Sequence, residues 1–259
     1  MRLALVALPQ PRTTQRSPRE HERKSSMKDA LAFGSGREGG LADGALRRLA
    51  YSLWEQRGQP IGDALTDWLA AQAMLAEQRI GDLGVAAIAA CPELSDLDEL
   101  DLEDNQIGDR GLQALAASPY AIGLKEIDLE RNQIGDAGAS AIADSPNLGA
   151  LEELDLAHNR IGDAGAIALS RAPGLRGLEE LELGHNQIGD AGARALAEST
   201  FLTSLEKLDL RSNHVGDEGA QALARSRTLL KLKEVNLSGS RLSPETIKLL
   251  RERFEDDDD

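Results

Sequence analysis

His158 and His185 stand 27 residues apart, and each follows a carboxylate three positions earlier, Asp155 and Glu182. Imidazole and carboxylate groups together can ligate zinc or a related divalent ion. That chemistry needs three or four donors converging on one point, and this spacing supplies no convergence, so no metal site is expected. Two identical residues in the same slot of a duplicated segment are explained equally well by the duplication. The sequence offers no nucleophile elbow, phosphate loop or HExxH pair. The expectation is a chain that is not an enzyme, with no catalytic residues and no cofactor.

The same 27-residue spacing carries a second chemistry, that of charge. One slot reads Glu99, Glu126, Glu153, Glu180, Lys207 and Glu234; the slot two residues on reads Asp101, Asp128, Asp155, Glu182, Asp209 and Asn236. Ten of these twelve positions are acidic. Like charges directly opposite one another in a sheet are unfavourable, so a face that keeps them is suited to a cationic partner. Glu-Leu-Asp-Leu is also a common filling of such units, and acidic surfaces help solubility. The candidate partner-binding residues are Glu126, Asp128, Glu153, Asp155, Glu180, Glu182 and Asp209, with Arg131, His158 and His185 giving local selectivity. The acidic body lacks the basic face that phosphate binding requires, so nucleic acid is not an expected partner.

The elements that must hold these columns are legible in one unit. Leu97, Leu124, Leu151, Leu178, Leu205 and Leu232 each open a 27-residue repeat with no insertion. In Leu151-x-x-Leu154-x-Leu156 the alternation of leucine with Asp155 predicts a short strand. Asn159, repeated as Asn105, Asn132, Asn186 and Asn213, is placed to bond backbone groups that a bend removes from the ladder. Asp163, in Gly162-Asp-Ala-Gly165, is suited to cap the helix that follows. Ala168 and Leu169 are expected on its inward face, and Ala172-Pro173 ends it, as Ser118-Pro119 and Ser145-Pro146 do in earlier units. One such unit cannot bury its leucines alone, so neighbours must stack into a solenoid.

These units resemble the leucine-rich repeats of the ribonuclease-inhibitor class, which includes the Ran GTPase-activating proteins and the repeat arrays of Nod-like receptors. The resemblance covers about residues 80–254. It implies an α/β solenoid with a curved parallel sheet inside and helices outside, working as a protein-binding scaffold or adaptor. By analogy with the Ran GTPase-activating proteins, the alternative is a regulator of a GTPase or other enzyme, with Arg131 or Arg211 assisting phosphoryl transfer. At the far end Ser240 replaces the asparagine, and Ser243-Pro244-Glu245 replaces Gly-Asp-Ala, with Ser243 a plausible helix cap.

The chain carries a net charge of −15. Residues 1–40 hold eight Lys/Arg against four Asp/Glu, net +4, which leaves −19 on the remainder. They read as a disordered basic arm. The apolar run Leu3–Leu8 is shorter than a secretory signal requires, and no segment is long enough to span a bilayer. A single cysteine, Cys91, supports no disulfide framework and is expected to pack at a helix end. The resulting expectation is a cytoplasmic monomer without membrane contact. Residues 41–76 read as a separate helical module, with Leu46, Leu49, Leu53 and Trp54 on one face and Leu65, Trp68 and Leu69 beginning another. The stretch Ala50-Tyr51-Ser-Leu53-Trp54, Gly58-Gln59-Pro60-Ile-Gly62, Trp68-Leu69 resembles a short bacterial domain of unknown function, although Gln59 and Gln72 stand where that family carries Arg and Glu. It implies a bacterial source and no activity. The expected role is a helical hairpin capping the open end of an array over 77–254, and residues 255–259 form an acidic tail.

Overall fold

The structure, a computed structural model, describes residues 80–90 and 92–254. The basic arm, the tryptophan-bearing module over 41–76, the packing role of Cys91 and the acidic tail lie outside the described residues. The described chain alternates helix and strand: α1 (Gly81–Ala89), β1 (Glu99–Asp101), α2 (Asp109–Ala117), β2 (Glu126–Asp128), α3 (Asp136–Ala143), β3 (Glu153–Asp155), α4 (Asp163–Ser170), β4 (Glu180–Glu182), α5 (Asp190–Ala197), β5 (Lys207–Asp209), α6 (Asp217–Ala224), β6 (Glu234–Asn236) and α7 (Pro244–Phe254). The six strands pair in parallel in chain order, and successive helices pack on one another. Strands repeat about every 4.8 Å, whereas packed helices need about 8–10 Å, so the stack bends with the sheet inside.

Each unit contributes the same apolar set to a core between sheet and helices. In the third full unit Leu151, Leu154, Leu156, Ile161, Ala166, Leu169 and Leu175 are all essentially inaccessible. The inward face of α4 is Gly165, Ala166, Leu169 and Ser170. Ala168, expected there, is only half-buried. A helix of two turns presents one narrow stripe, and position 166 rather than 168 shares that stripe with Leu169.

The asparagines do what the bend requires, and they do it across units. Asn159 donates from Nδ2 to the carbonyls of Leu156 and Ala157 in its own unit, each at 3.1 Å, and of Leu129 in the preceding one at 2.9 Å. Its Oδ1 accepts the Ile134 N–H at 2.9 Å. Asn132 and Asn186 repeat the pattern and, like Asn159, are buried.

The aspartate is placed differently from its sequence reading. Gly162, not Asp163, occupies the N-cap of α4, and no side chain of its own unit caps it. Asp163 is the first residue of the helix, and its Oδ1 accepts the N–H of Gly189 at 2.7 Å and of Gly192 at 2.9 Å. It therefore caps α5, the next helix, while Asp136 caps α4 through Gly162 and Gly165. Asp82, Asp109 and Asp190 form the same pair of bonds to their successors. The second glycine of the motif makes room for this approach. A Cβ on Gly192 would meet Asp163 Oδ1 and Ile188 Cγ2 at 2.8 Å each. The relay stops at α7. Asp217 accepts the N–H of Ser243 at 2.8 Å, but Pro244 holds the slot of the next aspartate and has no carboxylate to offer a further unit. Ser243 caps α7 as its sequence suggests, with its Oγ 3.3 Å from the Thr246 N–H.

This cross-unit capping makes a directional prediction. Asp163→Ala should cost about 1–2 kcal/mol, and the damage should appear one unit downstream. In amide hydrogen exchange, Gly189 and Gly192 at the start of α5 should lose protection while the N-terminus of α4 keeps it. Loss confined to α4 would restore the simpler reading of a self-capping aspartate.

Candidate binding face

The strands are three residues long, so each contributes two side chains to the inner face with one leucine-type residue between them turned to the core. The register places Glu99, Glu126, Glu153, Glu180, Lys207 and Glu234 directly opposite one another in sequence, and likewise Asp101, Asp128, Asp155, Glu182, Asp209 and Asn236. Both acidic columns inferred from spacing are thus contiguous on one face. Arg131, His158 and His185 form a third column at the corner after the strands, where each has left-handed backbone (φ 55, 55 and 56°). Asp104 and Ser212 continue that column with φ of 55 and 52°.

The two acidic columns differ chemically. Glu126 and Glu153 are exposed, whereas Asp101, Asp128, Asp155 and Asp209 are half-buried. Each of these aspartates bends back to accept a backbone N–H two residues on; Asp155 takes that of Ala157 at 2.7 Å and Asp128 that of Glu130 at 2.8 Å. Asn236 makes the same bond to Ser238 at 3.0 Å. This column serves the turn as well as the surface.

Crowding of like charge shows in the acidities. Burial, with Glu182, Asp128 and Glu130 nearby, pushes the Asp155 carboxyl up to about 7 against the pull of its bond from Ala157. Burial followed by neighbouring carboxylates raises Glu126, Asp128 and Glu182 as well. Asp155 therefore carries only part of a full negative charge near neutral pH.

Several candidates are also paired within the chain. Lys207 bonds Glu180, Arg131 bonds both Glu103 and Glu130, and Arg211 lies 3.4 Å from Asp209. Of the expected residues, Glu126 and Glu153 therefore remain the most available acids. Spacing alone did not bring out Glu130, whose Oε1 lies 3.9 Å from His158 Nε2, or the Lys125–Glu152 pair at 2.8 Å. Both were open to the same column reading, since Lys125 and Glu152 stand one residue before the first acidic column and Glu130 one residue before the corner column. His158 and His185 come together as a stack, with ring centroids 3.9 Å apart and planes 12° from parallel. In-plane lone pairs on parallel rings do not meet at one ion, and among the described residues no three His, Cys, Asp or Glu side chains group as metal ligands.

Comparison with known proteins agrees with the fold. Five stretches, residues 94–116, 124–143, 151–170, 176–197 and 201–224, match the family model described as Leucine Rich repeat. With the parallel sheet and its flanking helices, they make the array a leucine-rich repeat solenoid. Residues 44–77 match a second family, described as Protein of unknown function (DUF2934). No curated protein matches the chain. Among solved structures, an internalin from Listeria monocytogenes is similar at 26% identity with a TM-score of 0.41; the match covers 64% of this chain and 48% of that one. The chain spans about half the length of that internalin.

The raised acidity of Asp155 has a testable sign. The folded chain holds this proton more tightly than the unfolded chain does, so its contribution to stability is fully present below about pH 4 and is lost as pH rises through 7. Asp155→Asn, which keeps an acceptor for Ala157, should raise stability by about 1–2 kcal/mol at alkaline pH, after allowance for partial exposure. The gain should shrink toward zero in acid. Thermal unfolding across this pH range checks it, and a gain independent of pH would show that the carboxyl is not the titrating group.

Proposed function

We propose that this chain is a protein-interaction scaffold or adaptor that binds a basic protein on its inner sheet. The observation that carries this reading is the register itself, which keeps Glu99, Glu126, Glu153 and Glu180 opposite one another along four successive strands. Mutual repulsion there is relieved by a cation from outside, since among the described strand residues this row supplies only Lys207, which is bonded to Glu180. The long-range field of the body, net −19 beyond residue 40, would also speed encounter with a basic surface. The face lacks aromatic anchors, which fits modest affinity. The alternation of strand and helix in every unit supports placing the array in the ribonuclease-inhibitor class. A single cysteine fits a reducing cytoplasm, and the chain is read as a bacterial monomer that contacts neither nucleic acid nor membrane.

The alternative of a GTPase regulator needs an arginine free to reach a partner's phosphoryl group. Arg131 is held by two glutamates and Arg211 by Asp209, so binding is the better-supported role.

Reversing the exposed column tests the proposal without disturbing the turn-forming aspartates. Glu99→Lys, Glu126→Lys and Glu153→Lys together should weaken binding of decalysine, and capture of basic proteins from bacterial lysate, by at least about tenfold. Binding by the parent should fall steeply with added salt. Equivalent reversals on the outer helices, such as Glu218→Lys, should change little. Undiminished and salt-insensitive binding by the triple variant would remove the inner face from consideration.

A further inference from the structure

The corner column borders the middle of the acidic face, and its two histidines are built into contact. His158 and His185 share one slot in successive units, both with left-handed backbone, and their rings lie face to face at 3.9 Å. The slot just before them is filled by Ala157 and Gly184, both buried, so no bulky side chain separates the rings from the sheet. The charged groups around the pair come from both sides. Glu130 faces His158, and Arg131 beside it is tied to Glu130 and Glu103. On the other side Arg211 lies against Gly184, where a Cβ would meet its Cγ at 2.9 Å, and Arg211 pairs with Asp209. Asp155 and Glu182 stand at the strand positions beneath.

Two uncharged imidazoles stack comfortably at this distance, and a single imidazolium can still lie against a neutral ring face. A second proton would set two cations in ring contact, a repulsion that parting of the rings would relieve. Glu130 favours the first proton, whereas Arg131 and Arg211 oppose it. Burial, then His185, holds His158 below the usual imidazole range, on the acid side of neutrality.

We propose that the stacked His158–His185 pair gates the inner face by proton uptake: unprotonated, it leaves the acidic columns to hold a basic partner, and protonated, it opens and weakens that hold. This rests on the reading that the columns bind a basic partner. Asp155 gains its proton over an overlapping range, so weaker binding in acid does not by itself assign the effect to the histidines. The variant His158→Asn with His185→Asn separates the two, because asparagine tolerates left-handed backbone and keeps every carboxylate.

The test uses the full chain and two readouts. Imidazole proton resonances followed by NMR from about pH 5 to 8 should show two linked steps. Decalysine should bind the parent about fivefold more weakly at the acid end, and the double variant should lose most of that difference while keeping the smaller part due to carboxylates. Independent, single-step histidine titrations would overturn the gate, as would pH curves for decalysine that run parallel in parent and variant. Failure of decalysine to bind the parent at either pH would overturn the acidic-face reading and the gate with it. Binding with parallel curves overturns the gate alone.

Discussion

Every 27 residues the chain leaves a sheet, turns a corner and starts a helix, and each of those steps strands backbone N–H and C=O groups in a dry interior. A buried polar group left unpaired costs about 1–3 kcal/mol, so a fold that repeats the corner must repeat the remedy. Here much of the remedy is lent by a neighbour. Asn159 reaches back to Leu129 and Ile134, and Asp163 reaches forward to Gly189 and Gly192. Each interior unit relies on a neighbour for part of its backbone hydrogen bonding. This dependence, as much as the shared leucine core, makes the array cooperative between nearest neighbours.

The constraint also explains why the motif is so uniform. Asparagine is required for one acceptor and two donor hydrogens at a single point; glycine is required where Asp163 Oδ1 approaches within a Cβ's reach. Serines at the helix ends add a third set of bonds, from Ser145 Oγ to the Ala116 carbonyl and from Ser199 Oγ to that of Ser170, each at 2.6 Å. With the corner fixed in this way, the first inner strand position of each unit, Glu99 through Lys207, is left to vary. Charge can therefore change there, as from Glu180 to Lys207, without cost to the scaffold.

Much of this was legible in the residues. The period fixes strand register, because units without insertions must stack slot on slot, and so the two acidic columns follow directly from counting. The asparagine bend and the Ser243 cap follow from single-residue chemistry. What counting does not show is which unit a side chain serves. Asp163 precedes its helix in sequence like an ordinary cap, but the backbone there is glycine-capped and the carboxylate finds better-placed donors one unit on. The same limit applies at the face, where Glu180 and Arg131 look free in sequence and are paired across strands in space.

The half-buried aspartates show how scaffold and surface share one residue. Asp155 spends one oxygen on the Ala157 N–H, which fixes the turn that positions His158, and presents the other to the face. An asparagine would serve the turn equally well, as Asn236 does at the end of the row. Asp128 and Asp155 keep a carboxylate that burial and neighbouring acids make less favourable than the amide. Structure alone does not call for that choice. A basic partner of the kind proposed above would favour that choice, most of all in the interior of the row, where like charges are most crowded.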